Sequence, residues 1–290
     1  MAAIETNTKN SMHIRSNSLP STSHPLVSQF EEHLNRLKPS EVASSSSLSH
    51  KLNGLQNLYD STLKLLQLSA TQKEVAREFS EKSIDKLLEG FLFLLDTSST
   101  VKDCLQQLKE SIQALESVIR RKRGAETSEL TIEVGNYLAS RKKMKQEIKK
   151  ALRNLKGISK DSSTNNDKDT LPMLSILKEA EAISVSSLET LLIFICDPKG
   201  QLKQRRWSVI SKLMQPKRVA CDSEESDTNE FEKVDVALQS LVSHKISSME
   251  NFQTHLENLE TCIQDLQAGV ESLSRNLIRI RVSLLNFFNH

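Results

Sequence analysis

"VKDCLQQLKESIQALESVI", residues 101–119, decides the fold class. Val101, Leu105, Leu108, Ile112, Leu115 and Ile119 alternate spacings of four and three without a miss, so all of them fall on one face of a continuous helix. The same rhythm extends on both sides. It starts after "SATQ" near residue 71 and runs to Arg123, where Gly124 stops it. Upstream, "HPLVSQFEEHLNRLK" spaces Leu26, Phe30, Leu34 and Leu37 as a short helix, and "KLNGLQNLYDSTLKLLQL" places Leu52, Leu55, Tyr59, Leu63 and Leu66 on one face. Pro39 and the tract "SEVASSSSLSH" are expected to interrupt the chain between them.

Downstream, a helix from about Ser128 to Lys156 precedes "GISKDSSTNNDKD", a loop by composition near 157–170. An apolar helix from Pro172 to Cys196 is closed by "DPKG" and followed by a shorter one in "QRRWSVISKLM". A second loop, near 215–229, contains the acidic "CDSEESDTN". From Phe231 to Phe287 the rhythm runs through Val234, Leu238, Leu241, Met249, Phe252, Leu259, Leu266, Leu273, Leu277, Ile280 and Leu284, faltering at Lys245. Read as a single helix this segment would be roughly 85 Å long. Its seam is expected to pack on 71–123 and 172–196 of the same chain, so a monomer suffices. Helices of such length predict an all-α, elongated antiparallel bundle over 25–290, preceded by a disordered polar tail, 1–24.

Composition agrees. Strands and tight turns draw on glycine, aromatics and β-branched residues, and this chain of 290 residues has 7 Gly, 6 Pro and 4% aromatics. Cys104, Cys196, Cys221 and Cys262 lie far apart without a C-x-x-C pair, which argues against a zinc site or disulfide framework and suits a reducing compartment. The N-terminal residues lack a secretory apolar run, and "FLFLL" and "LLIFIC" are far short of the ~20 residues of a membrane span. An intracellular protein is expected, cytoplasmic before nuclear.

The net charge is +2, but it is unevenly spread. Residues 120–156 carry 12 Lys and Arg against 4 Glu, a local +8 that leaves −6 for the rest. The candidate basic face comprises Arg120, Arg121, Lys122, Arg123, Arg141, Lys142, Lys143, Lys145, Lys149, Lys150, Arg153 and Lys156. On the same helix Tyr137, Leu138, Met144, Ile148, Leu152 and Leu155 form an apolar seam, so a bundle helix with a solvated positive face explains the charge. That face could also meet anionic lipid or an acidic partner. Nucleic acid is disfavoured, because base stacking needs aromatics among the cations and only Tyr137 is near.

In the tail, "RSNSLP" sets Arg15 three residues before Ser18 and Pro20 two after it. Basophilic kinases read such an arginine, and the phosphoserine would suit the arginine-lined groove of a 14-3-3 protein. Chemistry of other kinds finds no support. His255 and Cys262 are seven apart, a poor metal spacing, and no Walker, Rossmann, kinase or serine-elbow motif is present. Neither catalytic residues, cofactor nor metal is expected.

Several separated segments together resemble one family. "SLPSTSHPLVSQFEEHLNRLK", "KLNGLQNLYD", "SVIRRKRG", "EVGNYLASRKKMKQEIKKALRNLK", "WSVISKLMQPKRVAC" and "CIQDLQAGVESLSRNLIRIRVSLLN" are similar to the plant-specific domain-of-unknown-function (DUF) family number 241. The resemblance covers Ser18 to Asn286. It implies a plant protein with a loose connection to root and shoot development, and it supplies no activity or catalytic residues. The reading is a non-enzymatic interaction or scaffold protein regulated through its tail; the alternative is a peripheral membrane protein that binds anionic lipid through 141–156.

Overall fold

The computed structural model describes residues 24–38, 44–78, 80–121, 127–162, 172–196, 228–242 and 249–288. Among these, every regular element is helical: α1 (Pro25–Leu37), α2 (Ser45–Leu66), α3 (Ser69–Glu78), α4 (Glu81–Arg121), α5 (Thr127–Ser162), α6 (Pro172–Cys196), α7 (Glu230–Val242) and α8 (Met249–Phe288). Ser18 and its motif, Lys122, Arg123, Cys221, "QRRWSVISKLM" and most of the 215–229 loop lie outside the described residues.

The seam of residues 101–119 performs as its spacing requires. Val101, Leu105, Leu108, Ile112 and Leu115 are wholly buried in α4, and α4 is 41 residues long. It runs antiparallel to α8, as paired contacts show: Gln113 donates to Glu260 at 3.1 Å, Gln267 to Gln106 at 3.2 Å, and Arg281 to the Leu88 carbonyl. Helix α2 lies along α8 in the parallel sense, with Ser272 donating to Gln56 at 3.0 Å and Arg279 to Asp60 at 3.1 Å. The two backbones approach closely at Gly269, where an added Cβ would stand 2.9 Å from Leu52 Cβ. Helix α6 closes the core across α2, α4 and α5. Its Ser184 shares a 2.8 Å hydrogen bond with the Tyr59 hydroxyl, whose ring meets Phe91 edge-on at 6.5 Å. The all-α, elongated bundle is therefore the fold.

Four boundaries differ from the sequence reading, each for a local reason. The serine tract is not an interruption throughout: Ser44, extended at φ −141° and ψ 162°, accepts a 3.2 Å hydrogen bond from the Ser47 amide and starts α2 six residues before Lys51. The segment 71–123 is two helices, because Ser80 caps α4 by accepting from the Ser83 amide at 3.3 Å. Helix α5 continues through Gly157 to Ser162, so a single glycine, which costs only about 1 kcal/mol in a helix, does not end it.

The largest correction concerns the last segment. Its described residues form two helices that pack on each other: Glu230 and Lys233 of α7 line one cleft with His255, Asn258, Cys262 and Asp265 of α8. The interval between Val242 and Met249 reads "SHKISS", the place where the apolar rhythm falters. As a separate helix α7 buries Phe231, Val234 and Leu238 completely, with Phe231 edge-on to Phe194 of α6 at 5.8 Å. Helix α8 accordingly packs chiefly on α4 and α2, not on 172–196.

Candidate interaction surface

Helix α5 divides its cations between two environments. Val134, Tyr137, Met144, Ile148 and Leu155 are buried against α4 and α6, and Arg141 falls on the same arc. The sequence reading placed Arg141 on the exposed basic face; it is 3% exposed. Arg141 Nε donates to both Asp235 oxygens at 3.2 Å, Nη2 donates to the Ile195 carbonyl at 2.7 Å, and the guanidinium lies 5.1 Å from the Phe231 ring centroid. The charge is buried, but it is matched on every side.

Why arginine belongs there follows from the end of α6. The last carbonyls of a helix have no intrahelical donor and carry the negative end of its dipole. Arg141 satisfies Ile195, and Asn229 Nδ2 satisfies Phe194 at 2.7 Å. The same Asn229 accepts from the Glu232 amide at 3.0 Å and so begins α7. Asp235 then collects Arg141, the Tyr137 hydroxyl at 3.2 Å and Lys145 Nζ at 3.0 Å. Burial, with the Asp235 charge beside it, raises the Tyr137 phenol well above its usual pKa, so it remains a donor. This node ties α5, α6 and α7 together and leaves no carboxylate oxygen of Asp235 free for other chemistry.

Lys142, Lys143, Lys149, Lys150, Arg153 and Lys156 are exposed on the opposite arc. At 100° per residue they cover about 140° of the helix and extend roughly 21 Å along it. Lys156 approaches Glu189 at 3.9 Å while remaining 61% exposed, and the other cations make no ion pair among the described residues. Arg120 is held by Glu116 at 2.8 Å and Arg121 by Glu129 at 3.5 Å, so the α4 end of the basic region is partly neutralised. The structure thus keeps together the part within 142–156, minus the half-buried Lys145. The node escaped sequence reasoning because Asp235 lies 94 residues from Arg141; only the helical position of Arg141, in register with Tyr137 and Met144, signalled it.

Among the described residues no group of three or more His, Cys, Asp or Glu side chains is placed to hold a metal ion, and no helix is long and apolar enough to cross a membrane. Cys104 and Cys262 are buried thiols whose pKa values burial pushes up to about 11 and about 12, which makes them poor nucleophiles. A family model described as Protein BPS1 matches residues 51–287. No curated protein and no solved structure shows a significant match. The match spans most of the chain, from α2 through α8, and the chain belongs to the BPS1 family, a plant protein family.

Proposed function

We propose that this BPS1-family chain is a non-catalytic interaction protein whose α5 face, Lys142, Lys143, Lys149, Lys150, Arg153 and Lys156, docks the acidic surface of a protein partner. The observation that carries the reading is the contrast across one helix. Arg141 and Lys145 are consumed inside the bundle, while Lys142, Lys143, Lys149, Lys150 and Arg153 on the outer arc make no ion pair among the described residues. An array of exposed cations on one helix, most of them unpaired, steers and orients an acidic partner without needing a deep pocket. In this reading the family connection is to root and shoot development, the numbered plant family that the sequence resembles is the same group, and the protein works as a cytoplasmic monomer. Phosphorylation at Ser18, read by a 14-3-3 protein, would regulate it.

The test compares the full chain with Lys142→Glu, Lys143→Glu, Lys149→Glu and Lys150→Glu combined, as baits in plant extract and in vesicle sedimentation. The proposal expects proteins recovered by the wild type in a salt-sensitive manner and lost by the variant, with no sedimentation on anionic vesicles. Vesicle binding that the variant loses would replace it with the membrane reading. Identical partners for both chains would sink it.

A further inference from the structure

A second basic feature lies on the far side of the sequence from α5. Between α1 and α2 is a cleft of about 580 Å³, lined by His33, Arg36, Leu37 and Gly54 together with Ser46, Ser47, His50, Lys51, Asn53 and Asn57. Its shape rests on a close approach of the two helices: a Cβ at Gly54 would sit 2.8 Å from Leu37 Cδ2. No Asp or Glu is among the lining side chains. Lys51 is 7% exposed, and among the described residues its amine has neither ion pair nor hydrogen bond. A charge so placed ordinarily has a partner, as Arg141 does.

The rest of the lining says what kind of partner is missing. Arg36, bound to Glu32 at 2.5 Å, His33 and His50 add cationic or proton-donating groups, and Asn53, Asn57, Ser46 and Ser47 add neutral donors. Ser46 and Ser47 belong to the first turn of α2, the positive end of a 22-residue helix. Donors contributed by both helices suit the several oxygens of a phosphate monoester better than a planar carboxylate, which offers two oxygens. The cleft volume falls in the range of small-molecule sites and leaves room for an organic group beyond the anion.

We propose that the cleft between α1 and α2 binds a phosphate monoester, with Lys51 as its central charge and His33, His50 and Arg36 around it. This goes beyond the docking face of α5 and is independent of it. The phosphate could belong to a small metabolite or to a phosphoserine, including one on this chain's own tail; the recognition chemistry is the same.

Thermal unfolding of the full chain tests the site. Phosphate at about 100 times its dissociation constant should raise the melting temperature by several degrees over chloride of equal ionic strength. Lys51→Met should fold, and should lose at least tenfold in phosphate affinity by phosphorus NMR titration. His50→Gln, at an exposed position, should weaken binding severalfold with no change in melting without phosphate. Glycerol phosphate and the peptide 11–25 phosphorylated on Ser18 then separate the sources: tighter binding of the peptide, lost without its phosphate, selects the tail, and equal binding selects a small molecule. No shift beyond that of chloride, or an equal shift in Lys51→Met, overturns the proposal.

Discussion

Arg141 and Lys51 are both cations buried on the apolar side of a long helix, and their surroundings could hardly differ more. Arg141 has Asp235, the Ile195 carbonyl and the Phe231 ring, and its fork of donors links three helices. Lys51 lines a cleft with histidines, an arginine and amides, and has no acceptor among the described residues. Burial alone therefore does not identify a structural charge. What separates the two is whether the fold itself brings the counter-charge. Where it does, removal of the residue damages the fold; where it does not, removal relieves the fold and damages something else.

The strongest way to break this comparison is Asp235→Ala. It leaves Arg141 without its counter-charge and the Tyr137 hydroxyl without its acceptor, and uncouples α7 from α5. Removing one partner of a buried ion pair costs about 3–5 kcal/mol, and urea unfolding should show a loss of that order. A loss below about 1 kcal/mol, typical of exposed pairs, would mean that water already reaches the node.

Lys51→Met should move stability the other way, by about 1 kcal/mol or less, because it removes a partly desolvated amine that has no partner among the described residues and keeps the packing volume. The pH dependence gives the sign independently. Burial lowers the Lys51 pKa from 10.5, so between the folded and unfolded values the unfolded chain binds more protons, and wild-type stability rises with pH there. The advantage of the variant is thus full below the folded pKa and fades as pH climbs toward 10.5. A variant less stable than wild type at neutral pH would show that the amine has a partner in the fold.

How these two cations read from sequence is itself instructive. Leu105, Leu108 and Ile112 announce their burial through spacing, because an apolar side chain has only one favourable place to go. Helix class, long antiparallel packing and the α5 seam follow from that logic. A charged residue at a seam position carries two meanings, solvated exception or buried node, and the choice depends on a residue supplied by distant sequence. Asp235 sits on a helix that the continuous rhythm from Phe231 to Phe287 had straightened into α8. Only the packing of α7 as a separate helix against α5 and α6 brings it under Arg141. The α1–α2 cleft was hidden for a related reason: its donors are ordinary polar residues at scattered positions, and only the Gly54–Leu37 approach gathers them.

Glu181 offers an intermediate case that sharpens the distinction. Its carboxylate lies against the α4 backbone at Gly90, where an added Cβ would meet Oε1 at 1.9 Å, and the opposite charge that acts on it among the described residues is Lys178 of the same helix. Burial pushes its pKa up to about 7 from 4.5, with Lys178 opposing the rise. Between those values the folded chain binds the extra proton, so stability falls as pH rises from 4.5 to about 7. Glu181→Gln should remove that fall and gain about 1 kcal/mol or less above it, after allowance for partial exposure. Equal slopes for variant and wild type across this window would show that the carboxylate is adequately solvated.

The smallest effect on the fold is expected where the charge is densest. Lys142, Lys143, Lys149 and Lys150 reversed to Glu one at a time should each change stability by no more than about 0.5 kcal/mol at physiological salt, as exposed unpaired charges do. Lys142 follows Arg141 directly in sequence, yet one residue of helix turns it through about 100°, out of the node and into solvent. Adjacent cations should then differ severalfold in their importance to folding, with Lys142 silent and Arg141 costly. The comparison also protects the functional reading: a partner lost by a variant that still folds must have been lost through its surface. If any one of these reversals instead lowers stability by more than about 1 kcal/mol, beyond what an exposed charge contributes, that lysine is being used inside the bundle. That part of the α5 face would then be a second structural node, with its cation not left over for a partner.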